Sequence, residues 1–526
     1  RYREPNESVP WRKLNDRKFS RHENRKFLFA FCEMAIPHDP GDTSTMTQAA
    51  ARTLVFFSSA AVLVTAILAQ RLIAPYLGVR LEVVTGVIGV ILAGIAVGAW
   101  AGGRTADRMD PAKLLGPVLI AGGRSALAAP VIVELVGPAV SSAGPLSIVM
   151  LTTVGFFLPA AILSAVPPVV VKLRLATLEQ TGTVVGSYSA VGTAGGIFGT
   201  FITGFVLISA FPTRPIVIAV GTALVVTGIV LWGRSGRVGL NATAAGLVLV
   251  GGMFVLPAPC DFETTYSCAV IEEDLDRPGG RTLILDQVSN SYVDLSDPTH
   301  LEFRYARVVA DVIDTMLPGG PITATSIGGG GVTFDAYLKA TRPGTRHVTL
   351  EIDAELVEIG HSHLGLADDA EVVVDDARRS LPSLGQGAAD FVLGDAFSGL
   401  SVPWHLTTRE FVEEIATHLR PRGVYVMNVI DYGDLDFVRS EVATLQAVFP
   451  HVAVFAPPTY LAAQAGGNFV LAASASPIPV GEIEEAIRSR GGVELGLTGA
   501  ALDPFVDGAR PLTDDFAPVD QMIDRP

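Results

Sequence analysis

Residues 321–331 read Pro-Ile-Thr-Ala-Thr-Ser-Ile-Gly-Gly-Gly-Gly, and the fold turns on how this stretch is read. The β-favouring run Ile322–Ile327 stops in Gly328, Gly329, Gly330 and Gly331, where missing side chains let a ligand lie against backbone N–H groups. A helical pattern over 301–316 precedes it. The runs His347–Ile352, Glu371–Val374, Asp390–Gly394, Val424–Val429, Val452–Phe455 and Phe469–Ala473 follow, separated by helical segments. Such alternation predicts right-handed β-α-β crossovers and a mainly parallel sheet covered by helices.

Ligands on such a sheet sit beyond the carboxyl ends of its strands. Acids stand at these ends. The second strand closes in Glu351-Ile352-Asp353, the kind of acid that holds a ribose diol; Asp375-Asp376 follow the third strand and Asp395 the fourth. Together with the glycine turn they indicate a nucleoside site, although Asp353 or Asp376 taken singly also reads as the cap of the helix it opens. Neither GxGxxG nor GxxxxGK[ST] occurs, which disfavours NAD and ATP. A nucleoside with a positive or uncharged tail fits an acid-lined pocket better, such as S-adenosylmethionine or its decarboxylated form. No metal site is expected, because His361 and His363 lie two apart on a predicted helix and cannot share a face. His405, after Pro403-Trp404, is expected in a loop at the pocket mouth.

Upstream of the helix, Tyr266–Glu273, Arg281–Asp286 and Val288–Leu295 are short strand-like runs split by Pro278-Gly279-Gly280, which predicts a small antiparallel β platform over 257–300. Before that the solvent changes. Residues 1–256 carry 21 Lys/Arg against 12 Asp/Glu, and 257–526 carry 17 against 41, so the halves hold +9 and −24 of the net −15. An acidic C-terminal half argues against nucleic acid as a partner. The N-terminal half holds apolar stretches at about 53–75, 83–102, 114–136, 146–170, 183–209, 214–232 and 239–256, each long enough to cross a hydrocarbon core at about 1.5 Å per residue. The expectation is a transmembrane domain of about seven helices over 46–256, with the lipid bilayer as partner and a multi-pass place in the cell membrane.

Small residues spaced by four, Gly94, Gly98 and Gly102, then Gly192/Gly196 with Gly195/Gly199, predict close helix packing. Arg124, near the middle of the third stretch, is a candidate for pairing or function. Alternate loops are rich in positive charge: Arg104, Arg108 and Lys113, then Lys172 and Arg174, then Arg234 and Arg237. The opposite set holds Arg71, Arg80 and Arg214. With seven spans the first set on the cytoplasmic side places the C-terminal domain outside, whereas sulfonium nucleosides are made inside; one span more or fewer reverses the orientation. Cys260 and Cys268 read either as ordinary thiols or as a short-loop disulfide of an oxidising compartment. Residues 1–45, with nine basic and seven acidic side chains and no apolar core, are expected to be an extension ahead of a start at Met46.

Over about 262–475 the order and spacing of several segments are similar to the spermidine synthase family, and 301–526 is expected to be its Rossmann-like domain. The segments are Thr265-Tyr266 to Glu273, Leu283–Asp286, Leu301-Glu302-Phe303-Arg304-Tyr305, Ile327–Gly331, Glu351-Ile352-Asp353, Asp376, and Gly394-Asp395 through Thr408-Arg409-Glu410-Phe411. The whole arrangement, with its ending Leu512-Thr513-Asp514-Asp515 and Pro518-Val519, resembles bacterial membrane proteins in which a transporter-like part is fused to a spermidine synthase. The resemblance implies a Rossmann-like sheet of the methyltransferase type. It implies that Gly328, Gly329 and Gly330 line the nucleoside, that Glu351 holds the ribose and Asp376 the adenine amino group, that Tyr305 sits in the amine site, and that Asp395 serves the reacting amine. It also implies an aminopropyltransferase that takes decarboxylated S-adenosylmethionine as co-substrate and a small-molecule amine as acceptor.

Three positions depart from the family. Gly331, Arg307 and Ser398 stand where acids are expected, which makes activity on putrescine doubtful. Two other readings follow from the departures: an S-adenosylmethionine methyltransferase, and a membrane sensor or transport component that binds nucleoside or polyamine without turnover. The acceptor, any transport and a homo-oligomer stay open at the level of sequence.

Overall fold

The computed structural model describes residues 46–78, 81–140, 145–175, 177–234, 260–286, 288–329 and 332–523. Six helices in the first half are long and apolar enough to cross a membrane: α1 Gln48–Leu77, α2 Leu81–Ala106, α3 Pro111–Ala139, α4 Leu146–Arg174, α5 Thr181–Leu207 and α6 Thr213–Gly233. The apolar run 239–256, the extension 1–45 and Gly330 lie outside the described residues. α1 opens on Thr47, whose hydroxyl accepts the Ala50 N–H at 3.2 Å, and α3 on Asp110, which accepts from Ala112 at 3.1 Å. The spaced glycines do what their pattern predicts. A Cβ at Gly98 or Gly102 would run into the backbone of Ala161 or Ala165, and one at Gly195 or Gly199 into that of Phe56 or Ala60. Small side chains therefore bring α2 onto α4 and α5 onto α1, the packing available where lipid supplies no hydrophobic drive.

The two ends of this bundle are chemically distinct. At one, Lys172 meets Asp107 at 2.7 Å and Arg174 donates to the Met46 carbonyl. At the other, Arg214 pairs with Glu134, so Glu134 is engaged across helices rather than with Arg124 on its own helix. The soluble half rests on this second end. The Arg71 guanidinium donates to the carbonyls of Thr264 and Thr265 and lies 3.3 Å from the Glu263 carboxylate, which also accepts from Thr213 at the start of α6.

Strands β1 Phe262–Glu263, β2 Cys268–Glu273, β3 Gly280–Leu285 and β4 Val288–Asp294 form an antiparallel sheet in that order. Cys260 and Cys268 are joined as a disulfide across its entry. A second sheet of eight strands follows. Its members are β5 Thr323–Ile327, β6 Arg346–Glu351, β7 Glu371–Val374, β8 Ala389–Gly394, β9 Leu419–Asp431, β10 His451–Ala456, β11 Gly467–Ser474 and β12 Leu495–Thr498, in the order β12-β10-β11-β9-β8-β5-β6-β7. From β9 to β7 every pairing is parallel; β11, β10 and β12 add an antiparallel wing. The α/β class and largely parallel sheet hold as expected. β12 was not anticipated, since Leu495-Gly-Leu-Thr498 is too short and too exposed to stand out.

Strand alternation sorts the side chains between two cores. Val392, Tyr425, Met427, Val454 and Leu471 face helices α10 Arg409–His418 and α11 Asp436–Val448. Phe391, Leu393, Val426, Phe455 and Val470 face α7 Arg304–Met316, α8 Thr333–Thr341 and α12 Val480–Ser489. α9 Ala354–His363 packs Leu356 and Ile359 against Ala269, Leu283 and Val293, which holds the small sheet over the carboxyl ends of β5 and β6.

Candidate functional site

The carboxyl ends of β5, β6 and β8 converge. Gly328 leaves β5 at φ +89°, and a Cβ there would strike the backbone of Asp395 and Ala396, so both conformation and space call for glycine. The Asp395 N–H donates to the Ile327 carbonyl at 2.9 Å, which locks the β8 exit against the β5 exit. Gly329 donates its N–H to Glu351 Oε2 at 2.8 Å, and Glu351 Oε1 accepts the Asp353 N–H at 2.9 Å. Burial pushes the Glu351 carboxyl up, while these N–H groups oppose the shift.

Asp353 caps α9 through the Glu355 N–H at 3.1 Å, and burial raises its carboxyl to about 6. Asp376 caps the turn Ala377–Ser380 through the Arg378 N–H at 2.9 Å and meets His405 Nε2 at 2.9 Å. Capping and a place in the site thus coexist at both residues. Tyr266 stands over this group. Burial first, then the charges of Asp353, Asp376, Glu351 and Glu355, raise its phenol. The C-terminal motif closes the same corner: Arg378 donates to Asp514 at 2.7 and 2.6 Å, and to the His405 carbonyl.

Asp395 lies on the other side of the glycine turn. Tyr305, in the first turn of α7, donates its hydroxyl to Asp395 Oδ2 at 3.0 Å; Asn428 on β9 donates to Oδ1 at 2.9 Å, and Asn468 on β11 donates to Asn428 at 2.9 Å. Burial lifts the Asp395 carboxyl to about 6, against the opposing pull of the two hydrogen bonds. A cavity of about 350 Å³ opens beside Tyr305 and Asn428, walled by Phe303, Phe397, Tyr432 and Tyr460. An acid poised near neutrality beside a cavity can take a proton from a bound group.

Arg307 does not line this cavity. Its guanidinium turns back to the Leu301 and Glu302 carbonyls at 2.6 and 2.9 Å, so it cannot repel a ligand there as the sequence suggested. Arg304, three residues earlier on α7, takes that place. Ser398 is tied into a loop by its backbone to Ser401. Asn428, Asn468 and a site role for Tyr266 were not anticipated from sequence; Asp376 and His405 were each named, but not their pairing. Asn428 carried a signal, since it interrupts the apolar run 424–430 of β9; Asn468, at the start of β11, carried none.

No protein-family model matches the chain. A polyamine aminopropyltransferase of Chromobacterium violaceum is 27% identical over 164 residues, 30% of this chain and 62% of that protein's length. One from Vibrio vulnificus is 28% identical over 217 residues, 37% of this chain and 68% of the relative. The crystal structure of a probable spermidine synthase from Corynebacterium glutamicum is 29% identical and is covered entirely by 52% of this chain, with a TM-score of 0.46.

Proposed function

We propose, taking as premise that the soluble half is of the spermidine synthase family, that the chain is a multi-pass membrane protein carrying an aminopropyltransferase. Its co-substrate in this reading is a decarboxylated sulfonium nucleoside and its acceptor a small amine. The observation that supports it most is the divided site: Glu351, Asp353 and Asp376 with Tyr266 on one side of the glycine turn, and Asp395 held by Tyr305 and Asn428 on the other.

The acid-lined side suits ribose hydroxyls, an exocyclic amino group and a cationic tail. On the other side the acceptor nitrogen attacks the carbon next to sulfur, the C–S bond breaks, and a neutral thioether nucleoside leaves. The nitrogen's proton passes to Asp395, whose carboxylate also stabilises the ammonium forming beside it. Gly328 and Gly329 let the nucleoside approach closely enough for carbon and nitrogen to line up.

The test is product identity. The full chain, purified in detergent, is incubated with decarboxylated S-adenosylmethionine or S-adenosylmethionine and a panel of amines. Release of methylthioadenosine is expected with the first donor. Release of S-adenosylhomocysteine from the second would make the protein a methyltransferase. Tight nucleoside binding without either product would leave a ligand-binding membrane component.

A further inference from the structure

The cavity next to Asp395 has an uneven wall. Its polar lining is Ser289, Asn290, Asn428 and Asn468, the hydroxyls of Tyr305, Tyr432 and Tyr460, and a single acid and base, Glu494 and Arg304. These two neutralise each other. Arg304 Nε and Nη2 stand 2.9 and 2.8 Å from Glu494 Oε1, and Glu494 Oε2 accepts the Val493 N–H at 2.9 Å. The Glu494 side chain is 6% exposed, while that of Arg304 is 57% exposed and reaches solvent at the rim. The remaining wall is apolar or aromatic, with Phe303 and Tyr305 stacked at 6.0 Å.

A primary amine entering this cavity meets Tyr305 and Asn428, the two side chains that hold Asp395 behind them. A second ammonium on the same ligand would leave water for a wall whose only carboxylate is already satisfied. Burying a charge among neutral acceptors with no free counter-charge is costly, whereas an apolar or aromatic body gains against Phe303, Phe397 and Phe455 of the same wall. Resting on the transferase reading above, we infer that the acceptor is a primary monoamine with an apolar or aromatic body, and that the Arg304–Glu494 pair is the element that turns diamines away.

Two amines of similar reach test this, phenethylamine and 1,4-diaminobutane. Each is titrated calorimetrically into the full chain in detergent, with and without 5′-methylthioadenosine, for the native protein and for Arg304→Gln. The native protein should bind the monoamine roughly tenfold or more tighter than the diamine. Arg304→Gln frees the Glu494 carboxylate, so the preference should shrink or reverse, with affinity for 5′-methylthioadenosine unchanged as the control for folding.

Equal or tighter diamine binding to the native protein would overturn the inference. So would an unchanged preference in Arg304→Gln, or no binding of either amine to a protein that still takes the nucleoside. Monoamine-selective binding with no methylthioadenosine release in the product assay above would sustain the ligand class and sink the transferase reading, which keeps the two failures apart.

Discussion

Asp395 is held in a compromise between burial, which favours its protonated form, and the Tyr305 and Asn428 hydrogen bonds, which favour the carboxylate. A base with a pKa of about 6 gives an acid limb there, since activity needs the deprotonated form. Methylthioadenosine release, followed as kcat/KM against pH, should rise through about pH 6. Removing the Tyr305 hydroxyl takes away a bond that favours the charged form, so Tyr305→Phe should move the limb upward, and Asp395→Asn should abolish turnover with nucleoside affinity largely kept. A Tyr305→Phe limb that stays in place would mean that this contact orients Asp395 without tuning it.

At the scale of elements, α11 packs a carboxyl where an aliphatic chain would serve. Glu441 is fully buried against the sheet with neither oxygen hydrogen-bonded, and burial raises its pKa well above the ordinary 4.5. The folded state therefore holds this proton more tightly than the unfolded chain. The stability it supports is complete below the unfolded value and falls as pH rises above that value, through neutrality. Glu441→Met should stabilise the protein by about 1–3 kcal/mol at pH 8 and by less at pH 4.5, read from chemical denaturation. A benefit independent of pH would refute the assignment.

The periodicity that places α11 and the strands was readable because their buried faces are regular. The glycine turn and the acids after β6, β7 and β8 were readable because they fall where chain direction changes. What could not be read depends on approach in space. Asn428 reaches Asp395 because β9 pairs parallel with β8, Asn468 reaches Asn428 because β11 pairs antiparallel with β9, and Glu494 meets Arg304 across 190 residues. Arg307 was misassigned because one helical position decides whether a side chain enters the cavity or returns to the backbone beside it.

On the scale of the whole molecule, the described contacts orient the chain. Lys172 and Arg174 share one end of the bundle with Asp107 and Met46, and Arg104 and Arg108 follow from the same turn; the soluble half docks at the opposite end, on Arg71 and Thr213. If the first end is cytoplasmic, as the positive-charge bias favours, the Cys260–Cys268 disulfide lies on the side where disulfides persist, opposite the compartment in which sulfonium nucleosides are made. A membrane-impermeant thiol reagent on intact cells should label these cysteines only after reduction. Labelling confined to permeabilised cells would place the domain inside.

The same docking loop touches the site. Thr265, held by Arg71 through its carbonyl, donates its N–H and hydroxyl to Glu355 at 3.2 Å each, and Glu355 adjoins Asp353 through the cap of α9. Arg71→Ala should therefore weaken nucleoside binding several-fold, roughly the effect of about 1 kcal/mol, in calorimetry on the full chain. Unchanged affinity would make the loop an anchor alone.

The loop 263–265 is held by two different spans at once, α1 through Arg71 and α6 through Thr213. A change in tilt between those spans would thus be delivered as strain to a loop that borders the acids of the proposed nucleoside site, and mismatch with bilayer thickness is one influence that shifts tilt. Nucleoside affinity should then vary with the lipid around the spans. In nanodiscs of short-chain and long-chain lipid the same protein should show different nucleoside affinities, and Arg71→Ala, with one grip released, should show nearly the same affinity in both.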